Sequence, residues 1–458
     1  SGPRPVRIVP ISWRKAVRSI AVVERTHSSS RTSRRKFLKG MAGGVAVSAA
    51  GLEDRSLMGL SRYRPNSWQT GAVEWEAVVS PPPEVTRPWL GAELWANRLQ
   101  DWRLSESRLE CLAGGPNDLG RTVALLTHEV CPGRTSAHFR VRSGALELSD
   151  RGGFGGYLVG VGGGLLDYRA SALAQKASGE GGGFWCGYEA DGRIRFRDHT
   201  AESDPLGYRP LEAEAIESER LGFRNLSDEV ILQLDIEPSG TGMFDVRLVA
   251  LDVVTGDLRA GAVRRGLREE QVLGGVALAS SPLPDGRARF WFKDLESSGE
   301  KIKVHNSRAL GPILSTMYSL NRSVLKMSAQ LMPLGEGEPR TVRLEVRADG
   351  ALWREVARSS WGVGYTTLLK VENWDSSRSW DYRVRYTDLL NIDHDHRGLI
   401  QNDPRNEEGF TIAHLSCVMP TARGLEDGTG EAELPVAEPL GRYTSKNLHF
   451  PHTDLIRN

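Results

Sequence analysis

The chain holds 458 residues, 39% hydrophobic and 26% charged, with 59 Lys and Arg against 58 Asp and Glu for a net charge of +1. That composition excludes a disordered or collagen-like chain, and the length exceeds the roughly 250 to 300 residues at which single cores stop growing, so two or three domains are expected. The first 40 residues concentrate 11 basic side chains against one acid, Glu24; the rest, 48 basic against 57 acidic, is net −9 and offers no basic face for nucleic acid.

Residues 1–50 read as a basic leader. The sequence opens at Ser1 and its first methionine is Met41, which reads as a fragment start. Arg34 and Arg35 precede Phe37 and Leu38, an apolar Gly and Ala-rich run follows from Met41 to Ala50, and Val47-Ser48-Ala49-Ala50 supplies small residues for cleavage. This is the pattern of a twin-arginine export signal, against the plainer reading of a chance Arg-Arg in a basic tail. The run is about half the roughly 20 residues of a spanning helix and is weakened by Gly43-Gly44, so no membrane span is expected. The expected partner is the twin-arginine export machinery, and the expected location is periplasmic or extracellular.

Residues 51–88 show little periodicity and end in Pro81-Pro82-Pro83, an extended spacer, which puts a linker there and a domain boundary near Trp89. From 89 to 308 the signals are short strands, as in the alternating Ala137-His138-Phe139-Arg140-Val141-Arg142 and Ile231-Leu232-Gln233-Leu234-Asp235-Ile236. The pairs Asp191-Gly192 and Asp285-Gly286 mark turns before strands at Ile194 and Ala288. The glycine-rich stretch from Gly152 to Gly164 is no dinucleotide loop, because Leu165 takes the third glycine's place after Gly160 and Gly162 and no helix pattern follows; closely packed strands account for it. Asp101-Trp102-Arg103-Leu104 with Arg108-Leu109-Glu110-Cys111, and Gly274-Gly275-Val276-Ala277-Leu278 running to Phe290-Trp291-Phe292, resemble the concanavalin A-like, laminin G-like jelly-roll family. The resemblance implies a sandwich that engages a glycan or a surface ligand.

Residues 311–405 form a second β unit, with Val342-Arg343-Leu344-Glu345-Val346, a lone Trp353 and the alternating Tyr382-Arg383-Val384-Arg385-Tyr386. About 90 residues with this spacing suit an immunoglobulin or fibronectin-like sandwich, with Tyr382 and Tyr386 as core residues. The run Asp393-His394-Asp395-His396 holds four metal-ligating types, but a strand would send neighbours to opposite faces and leave two per face, and Asp and Gly chemistry favours a hairpin turn. The cysteines Cys111, Cys131, Cys186 and Cys417 form no C-x-x-C pair; their spacing leaves a Cys111 to Cys131 bridge open.

Residues 409–458 change architecture. Phe410-Thr411-Ile412-Ala413-His414-Leu415 reads as a buried strand delivering Ser416-Cys417 at its end, followed by a loop and a helix start with Thr453 as N-cap before Leu455 and Ile456. This segment resembles the opening of the metallophosphatase domain of the alkaline phosphatase D (PhoD-like) family, in which a twin-arginine signal and a preceding immunoglobulin-like domain also occur. The resemblance implies the start of an α/β domain, hydrolysis of phosphomonoesters or phosphodiesters by a longer protein, iron, calcium or zinc as cofactor, and Cys417 as a metal ligand. With no further ligands in the sequence, no catalytic site is complete and the fragment itself is expected to be inactive. His414 is read as packed in its sheet, and His452 and Asp454 as capping residues. The alternative is a non-enzymatic exported protein that binds carbohydrate or a surface partner through its β-sandwiches.

Overall fold

The computed structural model describes residues 74–404 apart from 80, 83, 97, 117, 150–151, 165–167, 174–182, 199–208, 217–225, 227 and 349. The leader with Arg34, Arg35, Phe37 and Leu38, the segment 409–458 with Cys417, and the expected α/β start lie outside the described residues. Every element below belongs to one compact unit, within Gly59–Asn402.

Among the described residues the chain is mostly β. In chain order the strands are β1 (Glu76–Ala77), β2 (Leu94–Ala96), β3 (Trp102–Ser105), β4 (Arg108–Cys111), β5 (Arg121–Val130) and β6 (Ala137–Leu148). They continue with β7 (Gly153–Val161), β8 (Phe184–Glu189), β9 (Ile194–Asp198), β10 (Arg209–Leu211), β11 (Glu214–Ile216) and β12 (Glu229–Gly240). A short helix, α1 (Tyr168–Leu173), lies between β7 and β8. The first sandwich is completed by β13 (Met243–Asp252), β14 (Leu258–Arg268), β15 (Gly274–Pro282), β16 (Ala288–Ser298) and β17 (Ile302–Val304).

These strands make two antiparallel sheets. One has nine strands in the order β11-β14-β13-β12-β6-β16-β4-β3, with β1 added to β16; the other has eight in the order β10-β9-β8-β7-β15-β5-β17, with β2 added to β5. One apolar cluster fills the space between them, drawing Phe139, Leu232 and Phe290 from the first sheet and Tyr157, Cys186 and Leu278 from the second. Strand alternation sends every second side chain inward, as Trp102 and Leu104 of β3 show. Each large side chain buried this way contributes roughly 1.5–3 kcal/mol. The Tyr157 hydroxyl donates to the Leu232 carbonyl at 3.1 Å, tying the two sheets through the core.

The glycine-rich run is the fully buried strand β7. At Gly155 a Cβ would stand 3.0 Å from the Phe290 ring of the opposite sheet, and at Gly156 it would strike the Cys186 carbonyl, so bare backbone is what lets the layers close. Both Asp-Gly pairs form turns as expected, Gly192 at φ +80° and Asp285 at φ +61°.

The second sandwich is smaller. Its strands are β18 (Ile313–Asn321), β19 (Val324–Leu331), β20 (Thr341–Arg347), β21 (Arg354–Ser360), β22 (Thr366–Val371), β23 (Trp380–Thr387) and β24 (Asp393–Ile400). They form a three-stranded sheet, β18-β19-β22, and a four-stranded sheet, β21-β20-β23-β24. Leu325, Met327, Val342, Leu344, Val384 and both expected tyrosines, Tyr382 and Tyr386, are buried between them.

Two expectations need correction, and one open alternative is decided. Parts of the expected 51–88 spacer join the first sandwich: β1 pairs with the end of β16, Val78 packs in the first core, and Arg87 exchanges backbone hydrogen bonds of 3.0 and 2.7 Å with Leu104. Trp89, taken as the start of the first β unit, packs in the second core. Cys111 and Cys131 are free thiols, Cys111 being fixed inside the first core.

Candidate functional site

The metal-ligating types at 393–396 lie on β24, not in a turn. Because β24 pairs with β23, His394 stands opposite Tyr386 and His396 opposite Val384, while Asp393 and Asp395 face the other way. All four side chains are engaged. His394 Nε2 is 2.9 Å from Asp388 Oδ2, and His396 Nδ1 is 3.4 Å from Thr316 Oγ1. Asp393 and Asp395 each take 2.7 Å contacts from Arg385. The turn is at residues 388–392, where Asp388 Oδ1 accepts the backbone N–H groups of Leu390 and Ile392 at 2.9 Å each.

A concavity of about 690 Å³ opens at one end of the eight-stranded sheet, where the β6–β7 and β15–β16 connections meet the β8–β9 hairpin. Its walls are polar. Glu189, buried at the end of β8, accepts from Arg197 Nη2 at 2.5 Å and is paired with Arg195. Arg195 Nη2 also donates to Asp191 Oδ2 at 2.8 Å, and Asp191 Oδ1 accepts the Arg193 backbone N–H at 3.1 Å. Burial alone would raise the Asp191 carboxyl, but the hydrogen bonds and charge of Arg195 outweigh it and hold the group below the ordinary carboxylate range. Gly152, at φ +65°, and Gly153 line the concavity as well. Leu148 and Leu283 give it an apolar rim.

A second polar feature crosses the nine-stranded sheet. The register sets His138 of β6, Asp235 of β12 and Arg247 of β13 directly opposite one another. Ser136 Oγ lies 2.9 Å from His138 Nε2, and His138 Nδ1 lies 2.9 Å from Asp235 Oδ1. This is the connectivity of a serine nucleophile, its base and an orienting acid. Here, however, Asp235 also accepts from Arg247 Nε at 3.0 Å and Gln233 Nε2 at 3.0 Å, which satisfies the carboxylate fully inside the protein. The row reads first as a buried ionic clasp. Beside it, a shallow cavity of about 470 Å³ is bordered by Ser136, Glu237 and Gly299, and burial next to Asp235 pushes the Glu237 carboxyl up to about 7.

Neither feature was visible from the sequence. His138 and Asp235 appeared only as the polar beats of alternating strands, and Glu189, Arg195 and Arg197 belong to no motif in the sequence.

No protein-family model and no curated protein matches this chain. Among solved structures, alginate lyase Aly36B is similar at 11% identity and TM-score 0.27, over 46% of this chain and 88% of that one. The metal-free carbohydrate recognition domain of Emp46p is similar at 14% and 0.28, over 45% and 86%. A lectin from Bauhinia forficata in complex with GalNAc is similar at 9% and 0.29, over 50% and 98%. These likenesses show no family. At such identities and scores, function has to be argued from the site. No helix among the described residues is long and apolar enough to cross a membrane.

Proposed function

We propose that the chain is an exported binding protein: a concanavalin A-like, laminin G-like jelly roll followed by an immunoglobulin-like sandwich, with the concavity at Glu189 receiving a polyhydroxylated ligand such as a surface glycan. The observation that carries this reading is the concavity itself. Its 690 Å³ lies within the roughly 300–1,000 Å³ of small-molecule sites. Fixed acceptors on Glu189 and Asp191 stand beside fixed donors on Arg195 and Arg197, and sugar hydroxyls both donate and accept. The guanidinium groups are already braced by the carboxylates, so binding orders few side chains. Screening the full chain on a glycan array and titrating the best ligand tests it. Asp191→Ala should weaken binding at least about tenfold, the loss of a charge-assisted hydrogen bond; an array without ligands, or affinity unchanged in Asp191→Ala, sinks the reading.

A second reading concerns a longer protein and rests on the resemblance of residues 410–458. In it the chain is the opening part of an exported PhoD-like metallophosphatase, with Cys417 as one ligand of an iron, calcium or zinc centre. Expressing the extended reading frame and assaying phosphoester hydrolysis with each metal tests it: activity lost on Cys417→Ala supports it, and absence of metal-dependent hydrolysis ends it.

A further inference from the structure

Away from the concavity, the paired ends of β5 and β17 bring together three side chains of different donor chemistry. Glu129 is the penultimate residue of β5 and Cys131 follows that strand, so their i, i+2 spacing sends both side chains to one face. β17 pairs antiparallel with β5, and His305 directly follows it, its backbone N–H donating to the Thr127 carbonyl at 2.7 Å. The backbone N–H of Cys131 is tied to the Lys301 carbonyl at 2.9 Å, so both arms are anchored. A carboxylate oxygen of Glu129, the Sγ of Cys131 and a ring nitrogen of His305 all lie within 4.8 Å of one another, and each residue is partly buried.

The second observation is the closeness of two of the donor atoms. His305 Nε2 stands 3.1 Å from Glu129 Oε2, so an imidazole nitrogen and a carboxylate oxygen already face each other at the cluster. We propose that Glu129, Cys131 and His305 together bind one transition-metal ion, with zinc the best match. Mixed sulfur, nitrogen and oxygen donors suit that ion, and three protein ligands leave a fourth position for water or an outside ligand. Binding replaces the Cys131 thiol proton, which leaves to solvent. Arg308 reaches Glu129 Oε2 at 2.7 Å and lies 4.6 Å from the centre of the Tyr168 ring, a contact that does not involve the other carboxylate oxygen. The carboxylate and the thiolate together neutralise a divalent ion, so the neighbouring guanidinium does not forbid it.

The test uses the full chain carrying Cys417→Ala, which separates this site from the phosphatase reading, kept reduced without added thiols. Cobalt titration should give one bound ion with a thiolate-to-cobalt charge-transfer band, displaced by zinc. Cys131→Ser should abolish the band, and His305→Ala should weaken zinc binding at least about tenfold. Circular dichroism checks that each variant folds. A Cys417→Ala protein without the band, or a band that survives Cys131→Ser, overturns the proposal.

Discussion

Arg87 and Glu338, 251 residues apart in sequence, form a buried ion pair that joins the strand entering the first sandwich to a loop of the second. Arg87 Nε also donates to the Trp89 carbonyl at 2.9 Å, and its guanidinium sits 4.4 Å from the centre of the Trp89 ring. Glu338 Oε2 accepts the Gly335 backbone N–H at 2.5 Å. Removing the acid strands a buried cation, so Glu338→Ala should cost about 3–5 kcal/mol in denaturant unfolding. Arg87→Lys should not restore the parent stability, because an ammonium cannot fork to both partners. A loss under about 1 kcal/mol in Glu338→Ala would show that the pair is not sealed from water.

The clasp of His138, Asp235 and Arg247 gives an acid-limb prediction. Burial pushes the Asp235 carboxyl up, but the His138 hydrogen bond and the Arg247 charge prevail and its folded pKa lies below the ordinary value. A depressed carboxylate stabilises the fold above its unfolded pKa, near 4, and that stability is lost as pH falls through the folded value. Asp235→Asn should therefore lose about 3–5 kcal/mol at neutral pH and show a shallower acid unfolding limb. Urea melts between about pH 2 and 7 read both effects. The same variant series bears on chemistry: labelling of Ser136 by a serine-directed phosphonate would turn the clasp into a nucleophile relay.

Glu237 behaves in the opposite sense. With its folded pKa raised to about 7, the folded chain holds a proton there that the unfolded chain releases near 4.5, so its contribution to stability falls as pH rises between those values. Glu237→Gln should match the parent near pH 4 and exceed it in melting temperature above about pH 7. Equal melting temperatures across that range would place the carboxylate in open water.

The thiols should differ sharply in reactivity. Cys111 is buried and its pKa is pushed up to about 11, and burial raises Cys186 as well, whereas Cys131 is only partly buried. In native Cys417→Ala protein, a maleimide at neutral pH should modify Cys131 first and leave the other two until unfolding. Early labelling of Cys111 would mean that the first core opens readily.

Local periodicity made much of the fold legible. Alternation placed β6 and β12, the Asp-Gly pairs placed two turns, and the density of glycine in β7 pointed to close sheet packing. What stayed hidden depends on register. His138 and Asp235 are 97 residues apart and meet only because β12 pairs with β6 in one alignment, and nothing local encodes that alignment. At 393–396 the alternation argument held, with two ligand types per face, but the turn was misplaced because the turn-forming carboxylate is Asp388, five residues earlier. Trp89 was assigned to the wrong core for a similar reason: its chain neighbours Leu90 and Leu94 do belong to the first.

That last detail bears on where the chain can be divided. Within six residues the chain commits Trp89 to one interior and Leu90 and Leu94 to the other, and it returns to the same seam where the Leu310 backbone N–H donates to the Ala92 carbonyl at 2.8 Å. The second sandwich, cut out from residue 310 onward, would lack the Trp89 indole that its core holds.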